Sequence, residues 1–239
     1  MKIHDDIGRW TRSLIDVVFP RVCTVCHTTL IDGEDIMCLG CLADFPRIDF
    51  KGNYTDNDMT VRLTSLHAPV TRAAALFHYV AQSRYVRLIH DSKYNRRPLV
   101  GKMLAERHSA ELKAAGFFSG IDLLLPVPIH FTKRLVRGYN QSYEIATGIQ
   151  RATGIPIGDN LFARRPHSTQ TLKSAQQRRE NPVGIFGVHD INELEGRHVL
   201  VIDDVVTTGS TMLSVLEEIH KASPSTQMSV YSLALTHMS

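Results

Sequence analysis

Beyond residue 60 the chain alternates short apolar runs with stretches in which apolar residues recur every three or four positions. Runs of four to eight apolar residues fit buried strands, and the wider spacing fits helices packed along one face. Ala73 to Val80 is predicted as a strand and Arg84 to Lys93 as a helix, with Leu99, Val100, Met103, Leu104 and Leu112 the buried stripe of another helix. Ile121 to Val127 follows as a strand, Tyr139 to Ala152 as a helix, Ile185 to Val188 and Val199 to Ile202 as strands, Ser210 to Ala222 as a helix and Met228 to Leu235 as a closing strand. This alternation predicts an α/β domain, a parallel sheet flanked by helices, whose ligands bind beyond the carboxyl ends of its strands.

The first 60 residues read differently. Ile7, Trp10, Leu14, Ile15, Val17 and Val18 recur at helical spacing up to Pro20, which predicts an amphipathic helix. Its polar face is thin and not Lys-rich, so packing against the rest of the chain is favoured over a membrane surface. Then come the only four cysteines, Cys23, Cys26, Cys38 and Cys41, as two CxxC pairs. Such pairs bend two thiolates each onto one ion, which predicts a closed, structural four-cysteine zinc site. A two-disulfide staple and a redox pair are the alternatives; a reducing compartment and two pairs on one small module argue against them. His27 and Leu42 stand where many such knuckles carry glycine. Lys51 to Asp58 is polar and turn-rich, so it is read as a linker that divides the chain into a zinc module, 1–60, and a main domain, 61–239.

With 239 residues, 43% of them hydrophobic and 21% charged, the chain can bury a core and is neither disordered nor fibrous. No apolar run approaches the ~20 residues of a membrane span. The acidic start and the short apolar stretch interrupted by Asp16 argue against a secretory signal, so a cytoplasmic location is expected. The net charge is only +3, yet Arg84 to Arg179 holds 17 Lys and Arg against 6 acids, interleaved with Tyr85, Tyr94, Tyr139 and Tyr143. That clustering suits a polyanion, either a phosphorylated metabolite or nucleic acid, although any single basic residue in it is readily a solvated helix face.

The densest chemistry lies in Val199 to Thr211. A buried strand ends in Asp203 and Asp204, then Val205, Val206, Thr207, Thr208, Gly209, Ser210 and Thr211 lead into a helix patterned by Met212, Val215, Leu216 and Ile219. Backbone N–H groups at a helix start, flanked by hydroxyls, surround a phosphate; the helix dipole favours its charge and Gly209 lets the backbone approach. Two carboxylates beside that cradle would repel phosphate but accept hydrogen bonds from a vicinal diol. The string therefore describes a ribose 5-phosphate pocket; standing alone, the Asp pair would equally be a turn and helix cap.

This string resembles the 5-phosphoribosyl-1-pyrophosphate (PRPP) signature of type I phosphoribosyltransferases. Nearly the whole chain is similar to the ComF/GntX family: the four-cysteine module, Lys93-Tyr94, Pro126-Val127-Pro128, Arg137-Gly138-Tyr139-Asn140-Gln141, Thr169-Gln170-Thr171-Leu172, Arg178 or Arg179, and Asn181-Pro182. The resemblance implies a type I phosphoribosyltransferase-like fold and a link to competence and DNA uptake. It implies PRPP-binding and catalytic roles for Asp203 and Asp204, with Thr207 to Thr211 on the phosphate. Val127 and a loop holding Lys133, Arg134 and Arg137 then correspond to the pyrophosphate loop, where Mg²⁺ arrives on the ligand, held by phosphates and water. Arg164 to Asn181, including Gln170 and Arg178, corresponds to a lid over PRPP, with a solvated surface helix as the plain alternative. Lys93 and Tyr139 are further candidates for lid or DNA contact; Tyr139 would stack a base or staple the helix start to the core.

No general base or nucleophile stands out, and the 12 histidines show no ligand spacing. Three functions remain: a PRPP-binding protein of DNA uptake that contacts single-stranded DNA, with a competence-machinery protein as a further candidate partner, a Mg²⁺-dependent phosphoribosyltransferase with an unidentified acceptor, and a PRPP sensor without catalysis.

Overall fold

The computed structural model describes residues 20–65, 67–94, 98–164 and 184–237. The expected N-terminal helix, Gln170, Arg178 and the side chain of Lys93 lie outside the described residues. The chain divides into two compact units, Met1–Phe45 and Pro46–Ser239.

In the first unit, Val22 and Thr29 form an antiparallel bridge, and Cys23 N–H donates to the Thr28 carbonyl at 2.8 Å, closing a knuckle around the first CxxC pair. His27 takes φ +62°, the left-handed conformation that the expected glycine would have supplied at lower cost. The second pair is held differently, by the short helix α1 (Leu39–Ala43) that Cys38 precedes and Leu42 continues.

The second unit is built on a four-stranded parallel sheet in the order β1-β6-β5-β2: β1 is Ala73–Tyr79, β2 Leu123–Pro126, β5 His198–Val206 and β6 Gln227–Thr236. The helices are α2 (Asp58–Ser65), α3 (Val86–Tyr94), α4 (Pro98–Ala114), α5 (Phe131–Arg137), α6 (Gln141–Thr153) and α7 (Ser210–Ala222). A separate antiparallel ribbon pairs β3 (Leu161–Ala163) with β4 (Phe186–Val188).

The unit begins at Pro46, ahead of the boundary expected near residue 60, because residues 46–54, the stretch leading into and through the first half of the expected linker, cover the outer edge of β1. Ile48 N–H donates to the Leu76 carbonyl and His78 N–H to the Pro46 carbonyl, both at 2.9 Å, while Ala73 N–H reaches the Tyr54 carbonyl at 2.8 Å. These bonds satisfy backbone groups that an exposed edge would leave open. Asn57 then caps α2, its side chain accepting from Met59 and Thr60 N–H at 3.0 and 3.1 Å.

Strand alternation sends Leu123, Leu125, Val199, Val201, Met228 and Val230 into one core with Met59 and Leu63 of α2 and Met212, Val215, Leu216 and Ile219 of α7. Helices α4 and α6 pack together and against the strands. Gly148 of α6 makes this possible: a Cβ there would lie 2.2 Å from the Lys102 carbonyl oxygen of α4. Val100, Leu104 and Leu112 are buried as predicted, but Leu99 is exposed, since it occupies the first turn of α4 before the stripe reaches the core.

Candidate phosphoribosyl site

The site is assembled where β2 and β5 end. Strand β5 does not stop at Ile202; it continues through both aspartates because its ladder with β6 runs on, Asp203 opposite Ser232 and Val206 opposite Leu235. Pairing through backbone groups is indifferent to the polar side chains that end the apolar run. Asp203 Oδ1 accepts from Asp204 N–H at 2.9 Å and from the Ser142 hydroxyl of α6 at 3.1 Å; Asp204 Oδ1 accepts from Val205 N–H at 2.9 Å. Both carboxylates are thus oriented by local donors. Val205 is half-buried, and the Val206 side chain belongs to the core.

Thr207 and Thr208 are exposed, Gly209 is buried, and Ser210 and Thr211 are half-buried. Gly209 takes φ +83° as the N-cap of α7, with no side-chain cap. The Thr208 and Ser210 hydroxyls lie 2.9 Å apart, and Ser210 N–H reaches Thr208 Oγ1 at 3.4 Å. A thirteen-residue helix therefore begins without the usual capping oxygen, its first N–H groups ringed by hydroxyls. Among the described residues, Thr208 and Gly209 N–H have no acceptor in the chain.

The start of α6 converges on the same edge. Val127 N–H donates to the Ile202 carbonyl at 2.8 Å, and the Asn140 amide donates to the Val127 carbonyl at 3.0 Å while its oxygen caps Ser142 N–H at 3.1 Å. Two helix N-termini, α6 and α7, thereby bring positive dipole ends to one strand edge.

The expected basic loop after β2 folds instead as α5, capped by His130 and closed by Gly138 at φ +84°. Lys133 is half-buried and Arg134 exposed, while Arg137 donates to the Gln141 side-chain oxygen at 3.0 Å. No residue of α5 is buried: Leu135 and Val136 are 79% and 81% exposed and Phe131 is also exposed. Tyr139 donates from its hydroxyl to the Ser92 carbonyl at 2.5 Å, and burial pushes that phenol's pKa up. Arg164 sits at the foot of the β3–β4 ribbon, its guanidinium 5.6 Å from the centroid of Phe162. The ribbon's strands end at Ala163 and resume at Phe186, so the span expected as a lid is spliced between two paired strands.

Sequence reasoning missed Arg62. It is buried in α2 and donates to the Thr207 and Thr236 carbonyls and, at 3.0 Å, to Thr236 Oγ1. The readable signal was an arginine on the same helical face as Met59 and Leu63.

In the other unit, the Sγ atoms of Cys23, Cys26, Cys38 and Cys41 all lie within 4.8 Å of one another, with Cys26 and Cys38 at 3.6 Å, and none is in a disulfide. Tetrahedral zinc–thiolate geometry at about 2.3 Å requires sulfur pairs about 3.8 Å apart, so the four cysteines fit a metal ion. The Thr28 hydroxyl beside Cys26 brings its thiol down to about 6, while burial pushes the Cys41 thiol up.

The chain matches the phosphoribosyl transferase domain model over residues 139–236. It is 34% identical to competence protein F of Haemophilus influenzae over 102 residues, 42% of this chain and 44% of that protein. It is 30% identical to DNA utilization protein YhgH of Escherichia coli K12 over 134 residues, 54% of this chain and 58% of that one. A third relative, the amidophosphoribosyltransferase of Methanothermobacter thermautotrophicus, is 29% identical over 158 residues, 65% of this chain and 29% of that enzyme. The aligned part thus spans about half the length of the competence and DNA-utilization relatives. No helix among the described residues is long and apolar enough to cross a membrane. The chain is thus similar, over part of its length, to competence protein F and the DNA utilization proteins, and it combines a phosphoribosyltransferase-like sheet domain with a four-cysteine cluster able to hold a metal ion.

Proposed function

We propose that the protein binds PRPP or a related ribose 5-phosphate ligand at the end of β5 and acts in DNA uptake or utilization through contact with single-stranded DNA. The observation that carries this reading is the start of α7, which lacks a side-chain cap and follows two oriented carboxylates on the same strand. Phosphate would sit on the N–H groups and hydroxyls of residues 207–211, and the ribose hydroxyls would donate to Asp203 and Asp204. Mg²⁺ would enter on the pyrophosphate, and zinc would occupy the cysteine cluster. The exposed Phe131 beside Lys133, Arg134 and Arg137 on α5 supports a DNA contact, a stacking ring amid phosphate-binding cations. The span around Gln170 and Arg178 is proposed as a lid on the ligand.

Calorimetry with PRPP and Mg²⁺ tests the pocket: saturable one-to-one binding is expected, with Asp204→Ala abolishing it in a folded protein. Fluorescence anisotropy with oligo-dT tests the DNA contact. Affinity should fall steeply with salt and drop in the Lys133→Ala, Arg137→Ala double variant, as counterion release requires. Binding that is absent or insensitive to salt refutes the DNA contact.

A further inference from the structure

Arg62 has no place in the chemistry described so far, yet it is only 7% exposed and carries a full charge into the protein. Among the described residues no carboxylate lies within ion-pair distance of it; its partners are the Thr207 carbonyl, the Thr236 carbonyl and, at 3.0 Å, Thr236 Oγ1. Burying a guanidinium on neutral acceptors is a poor source of stability, and an apolar side chain between Met59 and Leu63 would serve packing better. What the guanidinium offers is a rigid planar fork that fixes two backbone segments at once. One is the end of β6 and the other is the first residue of the loop that opens α7. Thr236 reinforces the clamp, its hydroxyl donating to the same Thr207 carbonyl at 3.2 Å.

The direction of the clamp matters. In a planar trans peptide the C=O and the following N–H point in opposite directions. With the Thr207 oxygen held toward Arg62 and Thr236, Thr208 N–H points away from them, on the opposite side of the peptide. Gly209 at φ +83° then turns the chain into α7. We infer that Arg62 is a positioning residue for ligand binding: by holding the 207–208 peptide in this orientation, it presents Thr208 N–H to the phosphate of a ribose 5-phosphate ligand without touching that ligand. This rests on the pocket proposed above.

The test is calorimetry of the full chain with ribose 5-phosphate and, separately, with PRPP and Mg²⁺, alongside thermal melting. Arg62→Lys keeps the charge but cannot fork, and it should weaken both ligands alike by about tenfold. Thr236→Val removes the second donor to Thr207 and should weaken both by about threefold, the two changes combining less than additively because they share one carbonyl. Millimolar methylguanidinium should restore binding to Arg62→Ala, a rescue that a merely structural role does not predict. If Arg62→Ala fails to fold, Arg62→Lys and Thr236→Val decide. Folded variants that bind ribose 5-phosphate as the wild type does, or a loss confined to PRPP, overturn the inference while leaving the pocket standing. A wild type that binds neither ligand overturns the pocket and the inference together.

Discussion

Replacing Gly148 by alanine would set a methyl group 2.2 Å from the Lys102 carbonyl oxygen and 3.0 Å from Glu106 N. Both neighbours are backbone of α4, so no side chain can swing aside; α4 and α6 must separate by about an ångström. Two effects compete. Alanine is the better helix former by about 1 kcal/mol, whereas forcing extra volume into a packed interface costs about 1–3 kcal/mol or more. With the clash on main-chain atoms, the steric term wins, and a net loss of about 2 kcal/mol follows. For a domain of this size that lowers Tm by about 4–8 °C. The displacement would also reach the site, because the N-terminal end of α6, less than two turns before Gly148, holds Ser142 against Asp203 and follows its cap Asn140, which bonds the Val127 carbonyl. Urea unfolding read by circular dichroism, with ribose 5-phosphate calorimetry on the same preparation, should show both losses. A Gly148→Ala protein as stable as the wild type would refute the close approach of α4 and α6 and the transmission drawn from it.

Burial lowers the pKa of His108 to about 3 and also lowers those of His78 and His198, so at these three positions the unfolded chain binds more protons than the folded one below about pH 6.5, against the opposite shift of His189, which its bond to Asp190 raises. Stability should therefore fall as pH drops from about 6.5 toward 3, and His108→Gln should flatten that slope; urea midpoints unchanged between pH 7 and pH 5 would contradict this. Tyr139→Phe should cost about 1 kcal/mol through loss of the bond to Ser92, measured by denaturant titration; an unchanged stability would refute that contribution, and base stacking by Tyr139 would show instead as DNA binding kept in Tyr139→Phe and lost in Tyr139→Leu. In metal-free reduced protein, alkylation of Cys26 should rise through a pH near 6, at which its thiol ionises, while Cys41 stays protonated and slow; equal rates at all four cysteines would refute that ordering. Metal analysis should find one zinc per folded chain, lost in Cys38→Ser.

The legible parts of this fold were those in which side-chain pattern and backbone structure coincide. Val199 to Thr211 combines a fully apolar run, a hydroxyl-rich turn and an amphipathic helix, and each stands where the pattern puts it. The pattern fails where backbone pairing outruns it: Asp203 and Asp204 remain in β5 because β6 continues to pair with them. It fails again at α5, whose Leu135 and Val136 face solvent, so no apolar stripe announces the helix. Residues 51–58 look like a linker because their polar side chains bind backbone locally, as Asn57 does in capping α2. Gly148 and Arg62 carry meaning only in three dimensions, the first as room for a neighbouring helix and the second as a charge spent on carbonyls remote in sequence.

The central claim is that the turn after β5 holds the phosphate of a ribose ligand while the aspartates hold its hydroxyls. A crystal structure of the protein soaked with ribose 5-phosphate tests this directly. The account predicts the phosphate oxygens within hydrogen-bond reach of the Thr208, Gly209 and Thr211 N–H groups and the sugar hydroxyls on Asp203 and Asp204. A ligand seated elsewhere, or the two carboxylates turned away from a sugar bound at this turn, would contradict it.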